Sequence, residues 1–391
     1  MNGTSESQRM RSVQPPVIPH VAHLIRETPD TISLGQGVVH YPPPQQALDA
    51  LNSFGTAVNE HHYQAARGLP ELEHALRVKL SNENSIQVSK EHVLMVTAGS
   101  NMGFYHALLA IADPGDEVII CSPFYFNHEM AIAMANCRAV LVPTDDEYQL
   151  CVDDIAAAIN DQTRAIVTIS PNNPTGAVFR KEDLAAVNQL CEQRGLYHFS
   201  DEAYEYFTYD GASHWSPASL PNSAGHTISL FSFSKAYGMA SWRVGYMVAP
   251  VNLQPALEKA QDTILICPPV VSQRAALGAL QVGASYCRQF TSDLAIVRQL
   301  CLNRLSVLGD RCKVPDTRGA FYLLARLQTT SSALSVVERL VRDYRVAVIP
   351  GEAFGLANAC YVRIAFGALR QDTVAKGMDR LVDGLEKILQ P

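Results

Sequence analysis

Between about residues 70 and 250 the chain repeats one pattern, a short β-branched apolar run followed by a longer stretch with helical spacing. The apolar runs are HVLMVT (92–97), EVIIC (117–121), RAVLV (138–142), RAIVTIS (164–170), LYHFS (196–200), TISLFS (227–232) and VGYMVA (244–249). Helical spacing marks MGFYHALLAIA (102–112), VDDIAAAI (152–159) and KEDLAAVNQLCEQRG (181–195), the last closing on a glycine suited to a C′ position. Strands that alternate with helices of this length predict an α/β fold around a mainly parallel sheet. The nearly unbroken apolar character of the runs fits a sheet covered by helices on both faces.

Beyond about residue 285 the pattern changes. A long helical stretch (roughly 285–309) leads to FYLLA (321–325), a helix near 332–344, RVAVIP (345–350), CYVRIAF (360–366) and a final amphipathic helix. We read a large domain at 46–284 and a smaller α/β domain at 285–391, which the N-terminal segment 1–45 joins.

Bulk properties exclude several classes. The 391 residues are 47% hydrophobic and 18% charged, enough for a large core. A net charge of −7 argues against a nucleic-acid partner, whose phosphates call for a basic face. No run of 18 apolar residues exists, so no membrane span is expected. The first twenty residues, MNGTSESQRMRSVQPPVIPH, lack an apolar signal core and read as a polar arm. Nine cysteines stand singly without CxxC spacing, which suits free thiols in a reducing cytoplasm. The pair His61-His62 has no ligand cluster around it, and no metal is expected.

Ligands of an open parallel sheet bind beyond the carboxyl ends of its strands, so the residues that follow each run are informative. AGSN follows the first run and opens a helix, where backbone N–H groups favour an anion. SPFYF offers aromatic rings, PNNPTG presents Asn172 or Asn173, and DEAY places Asp201 as a strand-end carboxylate or a helix N-cap. Phe233-Ser234-Lys235 follows the sixth run, and Arg243 stands eight positions beyond the lysine. Each feature alone has an ordinary structural explanation. Together they suit a flat heteroaromatic ring with a phosphate, a ring nitrogen, a phenolic oxygen and an aldehyde, which describes pyridoxal 5′-phosphate.

The chain resembles a class I/II aminotransferase of the fold-type I pyridoxal-phosphate superfamily. The motifs that carry the resemblance are SLGQG (33–37), YQAARGLPEL (63–72), TAGSN (97–101), SPNNPTG (170–176), DEAY (201–204), SFSKAYGMASWRVG (232–245) and YVRIAFG (361–367). The resemblance implies that Lys235 binds the cofactor covalently and moves the substrate proton, and that Asp201 pairs with the ring nitrogen. It implies that Tyr204 and Asn173 bond the phenolic oxygen. Tyr125, with Phe124 as the alternative, would lie on the ring face. Gly99, Ser100, Asn101, Ser232 and Arg243 would hold the phosphate. Tyr63 would reach the phosphate in a partner subunit, so a homodimer is implied, and Gly37, Asn173 and Arg363 would bind the substrate.

The implied reaction is transfer of an amino group from an L-amino acid to a 2-oxo acid by a ping-pong mechanism. C–S β-elimination on the same scaffold is the alternative. The segments expected to line the substrate pocket, VVHYPPP (38–44) and DTILICPPV (262–270), contain no Lys or Arg. That points to neutral, aromatic or sulfur-containing donors, unless the partner subunit supplies a cation to the pocket.

Overall fold

A computed structural model describes residues 6–15 and 17–390. All seven apolar runs form strands of one sheet: β1 His92–Thr97, β2 Glu117–Ser122, β3 Arg138–Pro143, β4 Thr163–Ile169, β5 Tyr197–Asp201, β6 Thr227–Ser232 and β7 Gly245–Pro250. Their order is β1-β7-β6-β5-β4-β2-β3, and only β7 runs against its neighbours. β6 and β7 are buried at every residue, as strands covered on both faces must be. The helix Lys181–Arg194 stops at Gly195 in the left-handed conformation (φ 66°).

A second, antiparallel sheet contains β8 Cys312–Lys313, β9 Tyr322–Leu327, β10 Ile349–Pro350 and β11 Cys360–Ala365, in the order β10-β11-β9-β8. The run RVAVIP therefore divides. Ile349–Pro350 joins this sheet, while Val346–Ala347 pairs in parallel with Ile32–Ser33 near the N-terminus. The long helix spans Ala284–Leu305 and passes into 3-10 turns through Arg311. Among the described residues no helix is long and apolar enough to cross a membrane.

The N-terminal region departs from the expected polar arm. Val17–Glu27 is a helix that buries Val21 and Leu24. Apolar residues at 17, 18, 21, 24 and 25 recur at helical spacing and give it one apolar side. It packs on the helix Ala333–Tyr344 and on β10.

Candidate active site

The carboxyl ends of β4, β5 and β6 open on one crevice. Ser100, Asn101, Tyr125, Asn173, Asp201, Tyr204, Ser232, Lys235 and Arg243 line a single cavity there. Lys235 reaches it because β6 ends at Ser232, whose Oγ accepts a hydrogen bond from the Ser234 amide (3.1 Å) and starts a short helix, Phe233–Ala236. Its Nζ donates to the Gly37 carbonyl. Burial lowers the amine's pKa to about 8, helped by the Arg363 and Arg243 charges and opposed by Asp201.

Arg243 lies across the cavity, beside the start of the helix Ser100–Ile111. It donates from Nη1 to the Ala240 carbonyl (2.9 Å). Gly99 caps that helix at φ 83° and ψ 160°, a conformation almost confined to glycine. A Cβ at Gly99 would overlap Arg243 Nη2. The helix N-terminus and the guanidinium thus form one anion cradle.

Asp201 ends β5 and is 4% exposed. Oδ1 accepts from the Ala203 amide (3.1 Å), and Oδ2 lies 3.1 Å from His128 Nε2. The His128 ring stacks on Phe104 with centroids 4.1 Å apart. Tyr125 faces the cavity, with its hydroxyl accepting from Asn127 Nδ2 (2.7 Å). Phe124 points elsewhere, packing beneath Gly355. The two asparagines of SPNNPTG also separate: Asn172 Oδ1 is used within the turn by the Thr175 hydroxyl (2.8 Å), and Asn173 faces the cavity.

Arg363, in β11, is 2% exposed. It donates from Nη1 to Asn173 Oδ1 (2.9 Å) and from Nη2 to the Gly35 carbonyl (2.7 Å). Nε has no partner among the described residues. The guanidinium sits over the Tyr322 and Phe354 rings at 4.6 and 5.0 Å. Tyr204 accepts from Asn173 Nδ2 (3.4 Å), and its hydroxyl is 2.8 Å from that of Tyr322. Burial raises the Tyr204 pKa well above its ordinary value, so this phenol stays protonated.

Between Lys235 and Arg363 lies a chamber of about 330 Å³. Gly37, Asn173, Tyr204 and Tyr322 line its near side, and Ile18, Val21, Ala22, Ile25, Val38, Phe126 and Ile349 its apolar wall. The wall differs from the expected one. Of 38–44 only Val38 takes part, 262–270 contributes nothing, and the helix Val17–Glu27 supplies Ile18, Val21, Ala22 and Ile25, four of the seven wall residues. Tyr63 is 79% exposed and lines neither cavity of this chain.

Residues 29–381 match the family model described as aminotransferase class I and II. The chain belongs to the class I and II aminotransferase family. It is 34% identical to the aromatic aminotransferase ISS1 of Arabidopsis thaliana, over 98% of this chain and 97% of that one. It is 33% identical to an aspartate aminotransferase of Pyrococcus abyssi, over 98% of both chains. The solved structure of an aromatic aminotransferase from Pyrococcus horikoshii OT3 superimposes with a TM-score of 0.85 at 33% identity, covering 94% of this chain and 99% of that one.

Aminotransferases of this family are pyridoxal-phosphate-dependent transferases. Three observations test whether these residues fit that cofactor. At Gly99 only the absence of a Cβ lets Arg243 approach the helix start, a carboxylate and a lysine amine converge on the same cavity, and Arg363, which lines the adjoining chamber, keeps a buried Nε without a partner among the described residues. The donor set fits. Three contributors are missed by the strand-end pattern: His128 behind Asp201, Tyr322 beside Tyr204, and the helix Val17–Glu27. Only the last could have been found, from its 17/18, 21, 24/25 apolar spacing.

Proposed function

We propose that this aminotransferase moves an amino group from a neutral or aromatic L-amino acid to a 2-oxo acid in two half-reactions of a ping-pong cycle. The observation that carries the donor class is the apolar chamber. Among the described residues of this chain its lining holds no cation besides Lys235 and Arg363, so a second substrate carboxylate would find no pairing charge from this subunit. Relatives named for aromatic and for aspartate donors leave both classes represented in the family.

Pyridoxal phosphate, when bound, supplies an aldehyde for the amino group and a cationic ring that draws electrons from the substrate Cα. Arg243, Ser232, Gly99, Ser100 and Asn101 would hold its phosphate, the guanidinium fork of Arg243 suiting a phosphate. Tyr125 would lie against its ring. Asp201 would keep the proton on the ring nitrogen, and Tyr204 and Asn173 would bond the phenolic oxygen. Lys235 would hold the cofactor's aldehyde carbon, and its amine, buried and with a pKa lowered to about 8, is placed to take and return the substrate Cα proton. Arg363 and the Gly37 amide hold the α-carboxylate so that the Cα–H bond faces Lys235.

The exposed Tyr63 supports a homodimer in which it reaches the partner's phosphate. Nine free cysteines suit a cytoplasmic location. The pairing of Ile32–Ser33 with Val346–Ala347 supports the division into a large domain at 46–284 and a small one made of 1–45 and 285–391. The test is the visible spectrum of the purified holoenzyme, followed during titration with a panel of amino acids. Bleaching by aromatic and neutral donors but not by aspartate is expected, with Lys235→Ala showing no lysine-bound band. Preferential bleaching by aspartate refutes the donor class. Pyruvate and ammonia released without an oxo-acid acceptor point instead to the C–S lyase.

A further inference from the structure

Tyr322 belongs to the small sheet, yet its hydroxyl meets the large-domain Tyr204 hydroxyl at 2.8 Å. It is 1% exposed, and its ring lies 4.6 Å beneath the Arg363 guanidinium. Its hydroxyl also touches the Gly37 backbone so closely that a Cβ there would come within 2.6 Å of it. One phenol therefore touches the Tyr204 oxygen, the proposed carboxylate clamp and the segment that holds Lys235.

We propose that Tyr322 is a positioning residue that directs the Tyr204 proton toward the cofactor's phenolic oxygen, an inference that rests on the functional reading above. Each phenol has one proton. When Tyr204 gives its proton to the cofactor's phenolic oxygen, the 2.8 Å contact is satisfied only if Tyr322 donates to the Tyr204 oxygen. Asn173 Nδ2 donates to that same oxygen (3.4 Å). The Tyr204 oxygen thus accepts from two groups while it donates to a third, and chained donation strengthens the outgoing bond by roughly 10–30%. Burial of both phenols keeps water from replacing Tyr322.

A donor to the phenolic oxygen favours the form of the lysine-bound cofactor in which that oxygen carries the charge. Losing part of that donation raises the pH at which the visible chromophore titrates. The test is Tyr322→Phe in the holoenzyme, since the phenylalanine keeps the ring under Arg363. The chromophore midpoint should rise by roughly 0.1–0.7 pH unit, the size of a 10–30% change in a charge-assisted bond. kcat should fall severalfold while KM for the donor stays within about twofold, because the ring packing persists.

The same substitution made on Tyr204→Phe should move the midpoint no further. A parent-like midpoint in Tyr322→Phe overturns the inference, as does an equal shift in both backgrounds, which would mean that Tyr322 acts without Tyr204. A rise in KM with kcat unchanged also overturns it, by assigning Tyr322 to substrate binding alone. No lysine-bound band in the parent enzyme removes the functional reading and this inference together.

Discussion

Replacing Gly99 by alanine probes the phosphate cradle at its tightest point. The backbone there, at φ 83° and ψ 160°, costs a non-glycine residue about 1–3 kcal/mol. The new Cβ would overlap Arg243 Nη2 and lie 3.0 Å from its Cζ. Arg243 is exposed, so it can swing aside, and the fold absorbs only the backbone term. The swing removes a charge-assisted contact to phosphate worth about 1.5–3 kcal/mol, or roughly a 10- to 150-fold loss of cofactor affinity. Absorbance titration of the apoenzyme with pyridoxal phosphate measures that loss, and a thermal melt of the apoenzyme reads the backbone term as a drop of a few degrees. Arg243→Gln should weaken cofactor binding in the parent but much less in Gly99→Ala, because both remove the same contact. A Gly99→Ala protein with parental affinity and melting temperature would refute the cradle. So would full additivity with Arg243→Gln.

Two further outcomes follow from the charges around the site. Only the neutral Lys235 amine can combine with an aldehyde, and its pKa is lowered to about 8. The rate of apoenzyme reconstitution should rise with pH through about 8 and level off above it. At pH 7.5 about a quarter of the amine is neutral, against roughly one in a thousand for an ordinary lysine; a rate still climbing tenfold per unit above pH 9 contradicts the lowered value. Arg363→Lys replaces a fork by a point charge that cannot serve both Asn173 and a carboxylate, so KM for the amino acid should rise about 10- to 100-fold with a smaller change in kcat; steady-state kinetics with KM within twofold of the parent would remove Arg363 from the carboxylate contact.

Much of the fold was legible because the large sheet announces itself locally. Six of its seven strands are buried along most of their length, so burial forces the Val, Ile and Leu runs that mark them, whereas β3, at the edge of the sheet, buries only Val142. RVAVIP was less legible. Its division between two ladders is decided by Ile32–Ser33 and by β11, partners far away in the sequence. The site divides in the same way. Lys235, Asp201 and Asn173 stand at or just after strand ends, where topology alone places chemistry, and Arg243 precedes β7, whose reversed direction starts it at the same edge of the sheet. His128 and Tyr322 come to the site through packing of a helix and of a second sheet, and nothing beside them in the chain announces it. The helix Val17–Glu27 was hidden by its Pro-rich start, although its apolar spacing is regular.

That helix has one more consequence. It rests on Ala333–Tyr344 and β10, whereas Lys235, Asp201 and Arg243 are fixed by the large sheet. The proposed wall for the substrate's side chain and the proposed proton-handling residues are thus built on separate supports. Exchanges among Ile18, Ala22 and Ile25 reshape the wall without disturbing any hydrogen bond of the cofactor cavity. A lineage with this architecture can drift from one amino donor to another through a few apolar replacements near its N-terminus, while selection on the chemistry holds the sheet constant.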